Sequence, residues 1–355
     1  MSLNDAIGAF IEADTDDDVR FDALAREVFA HQCERIPLVR ALADRAGCDP
    51  RSVAHWRDIP AVPSTAFKAT TLFGGAPSDA VHTFASSGTS GASKSKSVFS
   101  ATGLELMAQS VRVNAARWLF PDGRATRILV LAPSPDLAPE MIMAWGMNQL
   151  IDAFGLEGSR FLIGPDGLDP KAVVGELMGA AREGVPITLI GASFGFVHLL
   201  DGLAEAGVSI PSAPGSRTMD AGGYKGRSRE LCRADLDEAI AERLGVPPER
   251  AVNLLGMTEL ASQFYDGVLV QDATPRRKQS APWTRTRVVA PDSLEPVSDG
   301  ERGLLVHVDL ANLERPAFVR TDDVGMADGD GFEVFGRASG AESRGCSLSV
   351  EELLG

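Results

Sequence analysis

The stretch TRILVLAPS, residues 126–134, is a short β-branched run that reads as a buried strand, and it decides the fold. A second such run, PITLIGAS, follows at 186–193, with helix-like segments such as PKAVVGELMGAAREG (170–184) between them. Strand, helix and strand in alternation predict an α/β core whose parallel strands are covered on both faces. AVNLLG (251–256) reads as a further strand running into a polar cluster. Toward the N-terminus, DVRFDALAREVFAHQCERIPLVRALADR (18–45) sets Phe21, Leu24, Val28 and Phe29 on one helical stripe, with a break near Pro37. From Ile59 the prolines of IPAVPSTAFKATTLFGG favour extended backbone. Toward the C-terminus, GLLVHVDL (303–310), AFVRTDD (317–323) and FEVFGR (332–337) alternate or nearly so, and DGDG (328–331) reads as a turn between the last two. A β-rich terminal lobe is therefore predicted after the α/β core.

A chain of 355 residues is long enough for a sizeable core and two lobes. Its net charge of −15 argues against nucleic acid or an anionic membrane as a partner, since both require clustered Lys and Arg. Any phosphate it binds must be met by local groups. Cys33, Cys48, Cys232 and Cys346 show neither a CxxC pair nor metal-ligand spacing, which fits a reducing cytosol. The N-terminal residues lack the pattern of a signal peptide, and no apolar run approaches the roughly 18 residues of a membrane span. A soluble, cytoplasmic protein is expected.

Three segments carry candidate chemistry. SSGTSGASKS (86–95) follows the apolar-leaning AVHTFA, and a strand entering a Gly/Ser/Thr loop can aim several N–H and O–H groups at one anion. The Walker spacing fails, because counting five from Gly88 reaches Ser93. The same composition also makes solvated surface loops. LLGMTE (254–259) ends an apolar run with a hydroxyl and a carboxylate, suited to Mg²⁺ and nucleotide oxygens at a strand's C-terminal end. VRTDDVG (319–325) offers adjacent carboxylates for ribose hydroxyls, and Gly336-Arg337 adds a cation. Singly, each also reads as an ordinary turn or a solvated charge.

In this order, the segments resemble the adenylate-forming superfamily of acyl-CoA synthetases, peptide-synthetase adenylation domains and luciferases. The matching residues are Ser86, Ser87, Gly88, Thr89, Ser90 and Gly91 with Lys94; Gly256-Met257-Thr258-Glu259; Arg320-Thr321-Asp322-Asp323; and Gly336-Arg337. The resemblance, over about residues 60–355, implies that the first loop holds the triphosphate of ATP, that Thr258 and Glu259 take nucleotide oxygens and Mg²⁺, and that Asp323 takes the ribose. Asp322 stands where the superfamily usually has Gly. The helical front ending in DIPAVPSTAFK, the stretch DAGGYKG (220–226) and the closing RGCSLSVEELL look like the acyl-protein synthetases of bacterial luminescence systems, the LuxE type, and more distantly like phenylacetate-CoA ligases. By that resemblance Gly222 and Gly223 let the chain approach adenine and Tyr224 stacks on it; a plain surface turn is the other reading.

The implied fold is that of the large N-terminal domain of an adenylate-forming enzyme without its small C-terminal domain. It is divided into a helical front segment (1–80), an α/β nucleotide- and acid-binding core (81–300) and a β-rich lobe with a hinge-like end (301–355). The superfamily's small domain brings a catalytic lysine, and the sequence holds no counterpart; Lys225 or Lys94 could supply positive charge instead, or both could be solvated. The resemblance also implies that Cys346 is the acyl acceptor. If 344–350 is extended, Arg344 shares its face and would enlarge the thiolate fraction; otherwise Cys346 is a small buried apolar residue. His198 reads by default as a core histidine, and Phe194, Phe196 and Leu199 as wall of an acyl pocket or as core.

The expected activity is ATP-dependent conversion of a carboxylic acid to its acyl-adenylate, followed by transfer to a thiol. An acyl-accepting reductase or acyltransferase would then take the product. The alternatives are transfer to coenzyme A or a carrier's pantetheine thiol, and a non-catalytic nucleotide-binding scaffold.

Overall fold

Ile128, Leu129 and Val130 are wholly buried in the strand Arg127–Pro133, which pairs in parallel with Ile187–Ala192 in the register Leu129 to Leu189. This is the doubly covered parallel core that the two apolar runs predict. The computed structural model describes residues 1–86, 94–224, 228–271, 275–329 and 331–338. The chain divides into two compact units: Met1–Val113 with Met257–Ser262 and the residues from Lys278 onward, and Asn114–Gly256 with Gln263–Arg277. These two units interleave along the sequence.

In the second unit the strand order is Phe264–Tyr265, Ala251–Leu255, Arg217–Ala221, Ile187–Ala192, Arg127–Pro133, Arg160–Gly164, Gly167–Leu168. The inner pairs are parallel and the two outermost antiparallel. The helix Pro170–Glu183 starts at Asp169, whose carboxylate accepts from Lys171 N and Ala172 N, and stops at Gly184 with φ 67°. It buries Val173, Leu177 and Ala180, and with the helices Ser193–Glu205 and Arg233–Leu244 it covers the sheet.

In the first unit, the helix Asp18–Arg35 buries the stripe Phe21, Leu24, Val28 and Phe29, and Pro37–Arg45 follows after the expected break. The antiparallel strands run in the order Thr284–Val289, Arg302–Asp309, Phe318–Asp328, Gly331–Arg337, Lys278–Gln279. Val62–Pro63 adds to Phe318–Asp328 in parallel, with Val62 opposite Val319. Ala80–Ala85 and Lys96–Ser100 form a separate hairpin. Among the described residues no helix is long and apolar enough to cross a membrane.

Candidate active site

The neck of the Ser/Gly/Thr loop is closed by two bonds: Ser86 N donates to Ser95 O at 2.9 Å, and Ser95 N donates to Ser86 Oγ at 3.0 Å. Ser87, Gly88, Thr89, Ser90 and Gly91 lie outside the described residues, as do Lys225 and Cys346. Lys94 stands exposed beside the neck.

Thr258 and Glu259 are buried in Met257–Ser262, a segment of the first unit. Ser97, in the strand below the neck, donates its Oγ to Thr258 O at 2.6 Å. The Glu259 carboxyl is hydrogen-bonded to Ser95. Burial pushes this carboxyl above its usual range, while the Ser95 bond, its own backbone amide and the charges of Lys68 and Arg337 pull the other way. Lys68 is a participant that no motif reading singled out. It sits on the one-turn helix Ala66–Ala69, just after Ser64 N donates to Arg320 O at 2.8 Å.

Asp323 faces Arg337 across the Phe318–Asp328 and Gly331–Arg337 pair, with Asp323 Oδ1 3.6 Å from Arg337 Nε. The register shifts at Val324 and Gly325, and Gly336 takes φ 126°, a conformation that side chains strain to adopt. Burial raises the Asp323 carboxyl; Arg337 opposes this, and the like charge of Asp322 adds to it. Asp322 thus has a physical consequence: it makes its neighbour hold a proton more tightly. In the first unit, hydrogen bonds link Ser86, Ser95 and Glu259, and the charge of Arg337 acts on both Glu259 and its partner Asp323.

In the second unit, Gly222 has φ 72° and nothing within 4 Å of a Cβ built on it, so glycine is needed for its backbone and not for space. Gly223 follows, and Tyr224 is half-buried with its hydroxyl donating to Leu231 O at 2.8 Å. Asp220, at the end of the preceding strand, anchors this turn. It accepts from Ser193 Oγ at 2.8 Å and Asn253 Nδ2 at 3.0 Å and is ion-paired with Arg233; Ser193 Oγ also lies 2.9 Å from Gly222 O. Phe196 and Leu199 are core, packed in the cluster beneath the sheet. His198 corrects its reading as core: it is exposed, with an edge contact to Phe194 at 6.4 Å.

Among the described residues no three His, Cys, Asp or Glu side chains are grouped as a metal cage. A single buried carboxylate beside a hydroxyl fits a Mg²⁺ that arrives with its phosphate and water ligands, the usual habit of that ion. Of the described thiols, Cys33 is buried and pushed up to about 11 by burial, Cys48 is raised by the same cause, and Cys232 is exposed.

The sequence matches the family described as acyl-protein synthetase, LuxE, over residues 14–355. The chain belongs to the LuxE acyl-protein synthetase family. Two relatives are each named long-chain-fatty-acid–luciferin-component ligase. That of Aliivibrio fischeri is 26% identical over 208 residues, 55% of this chain and 53% of the relative. That of Vibrio harveyi is 25% identical over 312 residues, 84% and 79%. The match thus spans about half of the first relative's length. Among solved structures, 2-hydroxyisobutyryl-CoA ligase with 2-HIB-AMP and CoA aligns with a TM-score of 0.65 at 16% identity, over 91% of this chain and 75% of that one. A long-chain-fatty-acid-CoA ligase from Archaeoglobus fulgidus aligns at 0.53 and 14% identity, over 76% and 52%. These likenesses establish the α/β fold of adenylate-forming enzymes for this LuxE-family chain.

Proposed function

We propose that this LuxE-family protein is an acid–thiol ligase that activates a carboxylic acid with ATP and passes the acyl group to a thiol, its own Cys346. The carboxylate oxygen attacks the α-phosphorus of ATP, the bond to the β-phosphate oxygen breaks, and pyrophosphate leaves. The thiolate then attacks the acyl carbonyl and AMP leaves with the bonding electrons. Family membership over residues 14–355 carries this reading. The names of the two relatives favour a long-chain fatty acid as the substrate class.

In this account the Ser86–Gly91 loop and Lys94 hold the triphosphate, Thr258 and Glu259 face the phosphates, and Asp323 takes the ribose hydroxyls. Arg337 opposes the burial that raises the Asp323 carboxyl. Gly222, Gly223 and Tyr224 lie along adenine, and Lys225 supplies positive charge to the reacting carboxylate or α-phosphate. When bound, Mg²⁺ neutralises the polyphosphate and makes pyrophosphate a better leaving group. The chain as a whole is strongly acidic, so these local cations matter for admitting an anionic substrate. An acyl-accepting reductase or acyltransferase in the cytoplasm would consume the thioester.

The test is pyrophosphate release from ATP and Mg²⁺ across fatty acids of graded length. The expected result is release that depends on acid and rises with chain length. Binding of ATP with no release for any acid would reject the reading in favour of a scaffold.

A further inference from the structure

We propose that Ser97, Asp309 and Asn312 are positioning residues for Thr258 and Glu259, and that Gln32 of the N-terminal helices seats the turn from which Asn312 acts. This inference rests on the adenylation reading above and deepens it.

Met257–Ser262 lies outside any helix or strand, so its buried backbone groups need partners from elsewhere. Apart from Leu260 N, which donates to Met257 O at 3.2 Å, those described find them on side chains. Ser97 Oγ donates to Thr258 O at 2.6 Å, and Asn312 Nδ2 donates to Glu259 O at 2.7 Å. Ala261 N and Ser262 N both donate to Asp309 Oδ2, at 2.9 and 2.7 Å. Ser262 Oγ donates to Asp309 Oδ1 at 2.8 Å, and Ala311 N donates to the same oxygen at 3.0 Å. Three fully buried side chains thus fix the path of the peptide on both sides of the Glu259 carboxylate.

The orientation of Asn312 has no freedom. Arg315, which can only donate, bonds Asn312 Oδ1 at 2.7 Å; the amide nitrogen must therefore face the carbonyls of Glu259 and Pro316, the latter at 3.0 Å. Gln32 repeats the arrangement one layer further out. Its Oε1 accepts from Ala317 N at 3.0 Å, and its Nε2 faces the carbonyls of Asn312 at 2.7 Å, Leu313 at 3.1 Å and Arg315. A glutamine only 1% exposed on the helix Asp18–Arg35 therefore holds both ends of the turn 312–317, about 280 residues away in the chain. Fully satisfied buried polar groups of this kind specify one geometry. Apolar side chains would fill the same volume without fixing where the Glu259 carboxylate points.

The test compares Ser97→Ala, Ser97→Thr and Asn312→Asp with the unaltered full-length protein. Asn312→Asp keeps the shape and the Arg315 contact while removing the donor to Glu259 O. Ser97→Ala is mild enough to preserve folding where the buried aspartate is not tolerated. Calorimetry measures Mg·ATP binding without acid, and pyrophosphate release gives the half-saturating Mg²⁺ and the KM for acid. Ser97→Ala and Asn312→Asp are expected to weaken Mg·ATP binding and raise the half-saturating Mg²⁺ by roughly 10-fold, as loss of groups that orient a metal ligand does, with the KM for acid unchanged. Ser97→Thr, which keeps the hydroxyl, is expected to restore both. Unchanged Mg·ATP binding, or a loss that follows the fall in melting temperature and is shared equally by the acid, overturns the positioning role. Should the unaltered protein release no pyrophosphate, the adenylation reading fails while the binding comparison still decides this one; should it bind no Mg·ATP at all, both fail.

Discussion

Arg337 Nε stands 3.6 Å from Asp323 Oδ1 on the neighbouring antiparallel strand, and the pair is lopsided: the arginine side chain is 80% exposed and the aspartate 23%. A cation at the surface thus opposes the upward push that burial gives the Asp323 carboxyl.

This arrangement fixes the sign of a pH effect. Asp323 is raised by burial and by Asp322 and lowered by Arg337, so Arg337→Gln is expected to move the acid limb of Mg·ATP binding to higher pH, and Asp322→Asn to lower pH. Titration calorimetry of Mg·ATP from acid to neutral pH measures both. Shifts in the same direction would show that Asp323 is not the titrating group.

Glu259 trades stability for chemistry. Its folded-state carboxyl lies above the unfolded value, so the folded protein binds the extra proton, and stability falls as pH rises from the unfolded value through the folded one. Glu259→Gln is therefore expected to raise the melting temperature at neutral pH by about 2 °C, a gain that vanishes on acidification. The same change is expected to cut pyrophosphate release by about 100-fold or more, the usual scale for losing a preorganised electrostatic group. Melting curves at several pH values and initial rates test the two halves separately.

The turn carrying Gly222 depends on Asp220. Asp220→Ala strips Arg233, Ser193 and Asn253 of a shared buried acceptor. The expected loss is about 3 kcal/mol of stability by urea unfolding, the scale for breaking a buried charge pair from one side. Ser193→Ala removes a single hydroxyl, and its expected cost is about 1 kcal/mol in the same measurement.

The apolar runs were the legible part. TRILVLAPS, PITLIGAS and AVNLLG announce strands because burial on both faces selects mostly apolar residues, and the stripe from Phe21 to Phe29 announces its helix in the same way. The strand Arg217–Ala221 escaped because RTMDA contains no apolar run. Its buried arginine is affordable only through tertiary partners, donating to Leu119 O and pairing with Asp122 at 2.8 Å. Gln32 carried a readable signal: it continues the stripe four residues beyond Val28, and a polar residue on an apolar face asks for a partner. Which partner it finds, about 280 residues downstream, is set by the fold. Lys68 had no such signal, since its charge reaches Glu259 only once Val62–Pro63 has paired with Phe318–Asp328. Serine, glycine and carboxylate motifs gave the candidate site its members, and the order of those motifs along the chain gave them meaning that no single one had.

The most direct test of acid activation with transfer to this chain's own thiol is an intact-mass spectrum after incubation with ATP, Mg²⁺ and mixed fatty acids. The account predicts a mass increase equal to one acid less one water, released by hydroxylamine, absent in Cys346→Ser and retained in Cys232→Ser, with pyrophosphate release surviving in Cys346→Ser. An unlabelled protein that forms AMP only when coenzyme A is supplied would contradict it.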